Sequence, residues 1–89
     1  MLGSRRQEFT EFPLPTSISS PSSITVGPDG ALWFRESFGQ KVARITTGGV
    51  ITESRAFANS GPEGITTGPD GNIWFADFSG NRIRVVRLA

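Results

Sequence analysis

The sequence predicts an all-β protein of two four-stranded antiparallel β-propeller blades, because a 41-residue unit occurs twice with turn signals at regular intervals. The segment Ile24–Phe34 (ITVGPDGALWF) returns as ITTGPDGNIWF at Ile65–Phe75, with eight of the eleven positions identical. A repeat of about 40 residues that holds four short strands is typical of a propeller blade. No window carries the apolar spacing of an amphipathic helix, so no helix is predicted.

The turn signals divide the first copy into strands. Gly27–Gly30 (GPDG) is a tight-turn sequence, because proline sets φ at its second position and glycine accepts a positive φ at its end. Asp29, like Asp70 in the second copy, is interpreted as a turn former for the same reason. Two further turns leave four strands, at Ile24–Val26, Ala31–Ser37, Lys41–Thr46 and Val50–Phe57.

Both faces of the second strand are predicted to be covered. Leu32, Trp33 and Phe34 are adjacent apolar residues, and successive residues of a strand point to opposite faces. Blades stacked around an axis cover both faces of each sheet, so Trp33 and Trp74 are interpreted as packing between blades rather than as ligand-stacking surfaces. A two-sheet sandwich made of the duplicated halves remains an alternative.

The chain does not begin at the first strand of a blade, and its second blade lacks an outer strand. This arrangement predicts that several copies close a ring by homo-oligomerisation. Thr10-Glu11 corresponds to Thr52-Glu53 of the fourth strand after a one-residue slip relative to the 41-residue repeat, so the outer strand of a blade comes first in the chain. We expect residues 8–15 to pair beside Asn81–Leu88 of a neighbouring copy in a cyclic head-to-tail oligomer. A trimer with six blades is favoured, and a tetramer with eight is the next choice.

The predicted segments follow from this order of strands: a tail at 1–7, the displaced outer strand at 8–15, blade one at 16–57, and blade two without its own outer strand at 58–89. A fragment of a longer reading frame, or an engineered excision, remains open as the origin of this arrangement.

Composition excludes several classes of function. A net charge of +1 with 19% charged residues argues against nucleic-acid binding. The absence of Cys and His excludes disulfides, Cys/His zinc sites and His or Cys catalysis within these 89 residues. No apolar run approaches the ~18 residues of a membrane helix, and the first residues lack the apolar core of a signal peptide. We therefore expect no membrane partner and favour the cytoplasm.

Several phrases resemble the streptogramin B lyase (virginiamycin B lyase) family of seven-bladed propellers. They are TEFPLP (Thr10–Pro15), WFRE (Trp33–Glu36), GPEGIT (Gly61–Thr66), GPDGNIWFAD (Gly68–Asp77) and GNRI (Gly80–Ile83). The resemblance implies blades of four antiparallel strands and an axial pocket at one end of the ring. It also implies an elimination that opens an ester linkage, with a His as general base and a Mg²⁺ ion held by Glu and His.

The residues at the corresponding positions of this chain only partly suit that chemistry. The resemblance places the base directly after the proline before the first strand, where this chain has Ser22 and Glu63. Glu63 is the one candidate for a replacement base, because burial can raise the pKa of a carboxylate. The metal-binding Glu matches Glu36, with Asp77 at the equivalent place in the second copy.

These observations favour a non-catalytic, oligomeric propeller module with an axial pocket for a small ligand or a cation. In a symmetric ring, Glu36, Glu63 and Asp77 would form an acidic collar for Mg²⁺ or Ca²⁺, which prefer oxygen ligands. The alternative is that Glu36 and Asp77 are ordinary solvated carboxylates, or that they accept hydrogen bonds from neighbouring backbone N–H groups. Two other functions remain open: a Mg-dependent lyase acting on a cyclic depsipeptide ester, and a protein-interaction scaffold. The arginines at 82, 84 and 87, with those at 5 and 6, are interpreted as a solvated basic face.

Overall fold

The structure is a computed structural model that describes residues 8–54, 62–77 and 81–88. These residues form seven strands in two antiparallel sheets, with every strand paired to its neighbour in sequence. Blade one contains β1 to β4, and blade two contains β5 to β7. The strands are β1 (Pro21–Val26), β2 (Leu32–Glu36), β3 (Lys41–Ile45), β4 (Ile51–Glu53), β5 (Pro62–Thr67), β6 (Ile73–Asp77) and β7 (Arg82–Val86).

The sequence repeat corresponds to a repeat of strand register. Ile24 lies opposite Phe34 in blade one, and Ile65 lies opposite Phe75 in blade two, 41 residues later. The predicted all-β fold is confirmed. No helix that would be long and apolar enough to cross a membrane occurs in the described ranges.

The GPDG turn is held by its aspartate and by the tryptophan that follows. The Asp29 carboxylate accepts hydrogen bonds from the Ala31 amide (3.2 Å) and the Trp33 indole N–H (3.1 Å). The indole lies so close to Gly27 that a Cβ there would be 2.4 Å from Trp33 Cδ1. Gly30 has φ = 83°, which only glycine adopts without strain. Asp29 therefore does form the turn, and it also orients the indole ring.

The first strand of each blade begins earlier than predicted and is interrupted by a β-bulge. In blade one the register shifts between Ser22 and Ile24, and Ser23 has φ = 42°. In blade two a shift occurs between Pro62 and Ile65. A bulge breaks the period-two alternation of side chains, and for this reason the sequence pattern identified only the part of the strand after the shift.

The last predicted strand of blade one, Val50–Phe57, is also different in the structure. It is seen as the three residues of β4, which end at Glu53. Positions 55–57 lie outside the described residues.

The core lies between the two blades. The side chains of Trp33 and Val42 in blade one form a buried cluster with Ile73 and Phe75 in blade two. The Thr67 hydroxyl donates a hydrogen bond to the Val26 carbonyl and so joins the two sheets. The interpretation of Trp33 as packing between blades is therefore confirmed.

Residues 8–15, the predicted displaced strand, form no strand within this chain. They run along blade one on the side opposite to blade two. The Phe12 ring packs over Gly49, where a Cβ would be 2.5 Å from the ring. Phe12 and Leu14 form one wall of an apolar groove of about 360 Å³ whose other wall includes Phe34. Pairing with a neighbouring copy remains a prediction.

Candidate functional site

Glu36 is a buried carboxylic acid at the end of β2. It is fully inaccessible to solvent, and neither of its carboxyl oxygens has a standard hydrogen-bond donor among the described residues. Gly39 lies directly over it, because a Cβ at Gly39 would be 3.3 Å from Glu36 Oε1. The Phe38 and Gly39 amides donate hydrogen bonds to the Ser19 carbonyl and hold the loop before β1 over the carboxyl group.

Three side chains complete a carboxyl cluster around Glu36, comprising Thr16, Glu36, Lys41 and Glu53. Lys41 Nζ donates to the Thr16 hydroxyl at 2.7 Å, and this hydroxyl donates to Glu53 Oε1 at 2.9 Å. Lys41 Nζ also lies 3.7 Å from Glu53 Oε1. The cluster therefore joins the loop before β1 to the ends of β2 and β4 and the start of β3.

The two glutamates have pKa values shifted in opposite directions. Burial, with hydrogen bonding and repulsion from Glu53, raises the pKa of Glu36 to about 7, although Ser19 and Lys41 oppose the shift. Burial also acts to raise the pKa of Glu53, but hydrogen bonds from Thr16 and Glu36 and the charge of Lys41 lower it. The two carboxyl groups therefore titrate as a coupled pair, in which Glu36 holds a proton more strongly than Glu53.

Asp77, the equivalent residue of blade two, is neutralised by arginines instead. Its Oδ2 atom accepts hydrogen bonds from the Nε atoms of Arg82 at 3.1 Å and Arg84 at 2.9 Å. Arg82 and Arg84 are interpreted from the sequence as part of a solvated basic face; the Arg82 side chain is half exposed, but both arginines are paired with the buried Asp77. Of the other predicted members of that face, Arg87 is exposed, and positions 5 and 6 lie outside the described residues.

The structure also corrects the view of Glu36 and Asp77 as solvated carboxylates, since both are buried, at 0% and 2% exposure. It does not bring them together, because they lie on separate sheets. In the described ranges no three Asp, Glu, His or Cys side chains form a group that would hold a metal ion.

A Mg²⁺ or Ca²⁺ site remains a prediction, and the three carboxyl groups predicted to bind the ion differ in how well their surroundings suit it. Asp77 already carries two guanidinium groups, which disfavour a cation there. The unpaired oxygens of Glu36, next to those of Glu53, are compatible with either a cation or a proton. The third predicted member of the collar, Glu63, lies on β5, but its side chain is outside the described part of the chain.

Ser22 occupies the position that the sequence resemblance gives to a catalytic base. The bulge in β1 turns it towards the end of β2, where its hydroxyl lies 3.5 Å from the Ser37 hydroxyl. Ser37 in turn accepts a hydrogen bond from Arg35 Nη1 at 3.1 Å. Hydroxyl and guanidinium groups bind polar atoms of a ligand, but this network contains no group that accepts a proton at neutral pH.

Sequence reasoning missed Thr16, Lys41 and Glu53. The signal for Glu53 was present, because Thr52-Glu53 repeats Thr10-Glu11. Its role depends on strand register, which sets Glu53 opposite Ala43 and thereby on the same sheet face as Glu36. The loop that carries Thr16 has no repeating pattern, so its sequence gave no indication of this contact.

Comparison with known proteins gives consistent matches. The sequence profile of the virginiamycin B lyase family matches residues 3–89. The virginiamycin B lyase of Saccharopolyspora erythraea is 42% identical over 60 residues, which make up 67% of this chain and 20% of that protein. The solved virginiamycin B lyase of Staphylococcus aureus, in selenomethionine-substituted form, has 45% identity and a TM-score of 0.83 over 86% of this chain and 27% of its own.

Two further solved structures are similar. A catalytically inactive histidine-to-alanine variant of the Staphylococcus aureus virginiamycin B lyase, solved with quinupristin, has 36% identity and a TM-score of 0.81 over 96% of this chain and 32% of its own. A streptogramin B lyase has 40% identity and a TM-score of 0.74 over 90% of this chain and 30% of its own. The chain thus spans between 20% and 32% of the length of these relatives.

Proposed function

Because the chain belongs to the virginiamycin B lyase family, we propose that these 89 residues form a non-catalytic β-propeller module that binds a small polar ligand near the start of β1. The observation that carries the proposal is Ser22, which takes the position where the resemblance implies a base. Its neighbours Ser37 and Arg35 offer hydrogen bonds to a ligand but no proton acceptor.

Elimination needs a base that reaches the substrate, and the described residues offer none. Glu36 has the raised pKa of a general base, but it is completely buried and is paired with Glu53. The remaining candidate is Glu63, which the alternative proposal of a lyase would require.

The ligand class is proposed from the relatives. One of them was solved with quinupristin, so a streptogramin B, a cyclic depsipeptide, is the first probe for this chain. Ester and amide carbonyls accept hydrogen bonds, which suits the donors of Ser22 and Arg35. We therefore propose that such a ligand is bound here without being opened.

Turnover and binding are measured on the same samples. Quinupristin is incubated with the 89-residue protein and Mg²⁺, the mixture is analysed by chromatography and mass spectrometry, and binding is followed by calorimetry. We expect saturable binding and no opened product above the rate with Mg²⁺ alone. Ser22→Ala should weaken binding by about tenfold through loss of one hydrogen bond, whereas the exposed Ser17→Ala should leave it unchanged.

Two outcomes would contradict the proposal. Opened product that requires the protein, and that disappears in Glu63→Gln, would instead support the lyase. Absence of binding at millimolar quinupristin would remove the ligand-binding function while leaving the assignment of the fold untouched.

A further inference from the structure

The contact between the two blades uses opposite faces of the two sheets. We call the side of each sheet that carries Trp33 or Trp74 its Trp face, and the side that carries Phe34 or Phe75 its Phe face. Strand register sets Val42 on the Trp face of blade one, because Val42 lies opposite Arg35, two residues from Trp33. The core cluster therefore joins the Trp face of blade one to the Phe face of blade two.

Two equivalent faces remain outside this contact, namely the Trp face of blade two and the Phe face of blade one. Seven residues form the internal interface, and each has an equivalent residue 41 positions away on one of these two faces. Six of the seven equivalent residues are apolar. On the Trp face, Trp33 and Val42 correspond to Trp74 and Ile83. On the Phe face, the corresponding pairs are Ile65 with Ile24, Ile73 with Leu32, Phe75 with Phe34, and Val86 with Ile45, and the exception is Leu88 with Thr47.

Exposure shows the difference between the occupied and the free faces. Val42 is completely buried, whereas its copy Ile83 is 66% exposed. Ile65 packs against the core, whereas its copy Ile24 is 62% exposed. Phe34, the copy of Phe75, is only 5% exposed in the groove beside Phe12 and Leu14, so the exposed apolar surface of the free faces comes from Ile24 and Ile83. Exposed apolar surface of this kind marks interaction sites.

The free Phe face is also shaped to receive a sheet. The groove of about 360 Å³ lies between Phe12 and Leu14 on one side and Ile24, Phe34 and Ile45 on the other. The lining also includes Pro21, Ser22 and Ser23 at the start of β1, and apart from the two serines it is apolar. The free Trp face of blade two, with Trp74, Ala76, Ile83 and Val85, is uncharged along its two central strands.

We propose that a second copy of this chain fills the groove, with the Trp face of its blade two packed on the Phe face of blade one. This contact continues the rotation that relates the two blades within the chain. Each copy has one groove and one free Trp face, so the contact is head-to-tail, and we propose that its rotation closes the copies into a ring rather than an open filament. With two blades per copy, three copies make six blades and four make eight, and three is the preferred number. The inference does not depend on ligand binding, but Ser22 lines the same groove, so a copy seated there would compete with a ligand at Ser22.

The same rotation aligns residues 8–15 of one copy with β7 of the next, as β4 is aligned with β3. Since Glu53 lies opposite Ala43 and Thr52 opposite Arg44, Glu11 would lie opposite Arg84 and Thr10 opposite Val85 of the neighbouring copy. Glu53 lies 3.7 Å from Lys41 in the existing pair, and the copies of these two residues, Glu11 and Arg82, again have opposite charges. Charge complementarity thus supports the same register as the apolar faces.

The mass in solution tests the proposal, measured by size-exclusion chromatography with light scattering and by sedimentation velocity from 5 to 200 µM. We expect three times, or secondarily four times, the 9.6 kDa of one chain. Ile83→Glu places a charge on the free Trp face and should reduce the mass to that of one chain, because a buried, unpaired carboxylate is strongly unfavourable. Ile83 is exposed in the single chain, so its β-sheet circular dichroism should persist.

Val50→Glu is the matched control, since Val50 is 64% exposed but lies on neither free face, and this variant should keep the wild-type mass. A wild-type chain of 9.6 kDa at 200 µM, folded or unfolded, would overturn the proposal. So would an oligomer whose mass is the same in Ile83→Glu as in wild type.

Discussion

At the scale of single residues, the buried carboxyl groups at equivalent positions of the two blades, Glu36 and Asp77, have different polar neighbours. In blade two the equivalent Asp77 is paired with Arg82 and Arg84. In blade one the groups that act on Glu36 are the Glu53 carboxyl group, Ser19 and Lys41. The two carboxyl groups at equivalent positions therefore differ in their surroundings, with arginines in blade two and a second carboxyl group in blade one.

The raised pKa of Glu36 predicts that stability decreases as the pH rises. Its pKa is about 7 in the folded chain and about 4.5 ordinarily, so between these values the folded state holds a proton that the unfolded state releases. The free energy of unfolding should therefore fall across this range, by on the order of 2 kcal/mol. Glu53 has a lowered pKa and so acts below this window.

Urea unfolding at pH 5 and pH 8 measures this effect, with Glu36→Gln as the informative variant. The variant should lose the dependence and be more stable than wild type at pH 8. Glu8→Gln, which changes an exposed carboxylate, should retain the wild-type dependence. Equal slopes with pH for wild type and Glu36→Gln would show that Glu36 is not the group that titrates.

At the scale of elements, the turns and the bulges of the blades differ in how well the sequence predicted them. The GPDG turn could be predicted because proline, aspartate and glycine act locally. The bulge at Ser23 and the role of Glu53 could not, because both depend on register between strands that are distant in sequence. Sequence reasoning therefore identified Glu36 as a site residue but not its partners.

The close approach of the indole to the turn predicts a position-specific effect of glycine substitution. Gly27→Ala places a Cβ 2.4 Å from the Trp33 ring and should destabilise the chain by about 1–3 kcal/mol, since the packed indole must move. Gly64→Ala, where no atom lies within 4 Å of a new Cβ, should change stability by less than about 0.5 kcal/mol. Thermal unfolding of both variants checks this, and equal melting temperatures would show that the contact is not restrictive.

At the scale of the whole molecule, the fold class and the repeat were predictable from the sequence, and the number of copies in the proposed ring was not. A repeat of 41 residues is typical of a blade, and the proposal of a ring rests on the free Trp and Phe faces. The rotation angle between blades, which sets how many copies close a ring, depends on side-chain packing along the whole interface. Sequence spacing therefore supports a ring but leaves three and four copies as competing numbers.

The pairing of residues 8–15 with β7 of a neighbouring copy is tested most directly by an engineered disulfide. The chain has no cysteine, so Thr10→Cys combined with Val85→Cys introduces a single possible pair. Directly opposed residues on neighbouring strands have Cβ atoms about 5 Å apart, which is close enough for a disulfide to form with small adjustments. Under mild oxidation at low concentration, we expect covalent multiples of the chain on a non-reducing gel that revert on reduction, and no such ladder from Thr10→Cys with Val50→Cys. A doubly substituted chain that stays a monomer, or ladders equally with both pairs, would contradict the account.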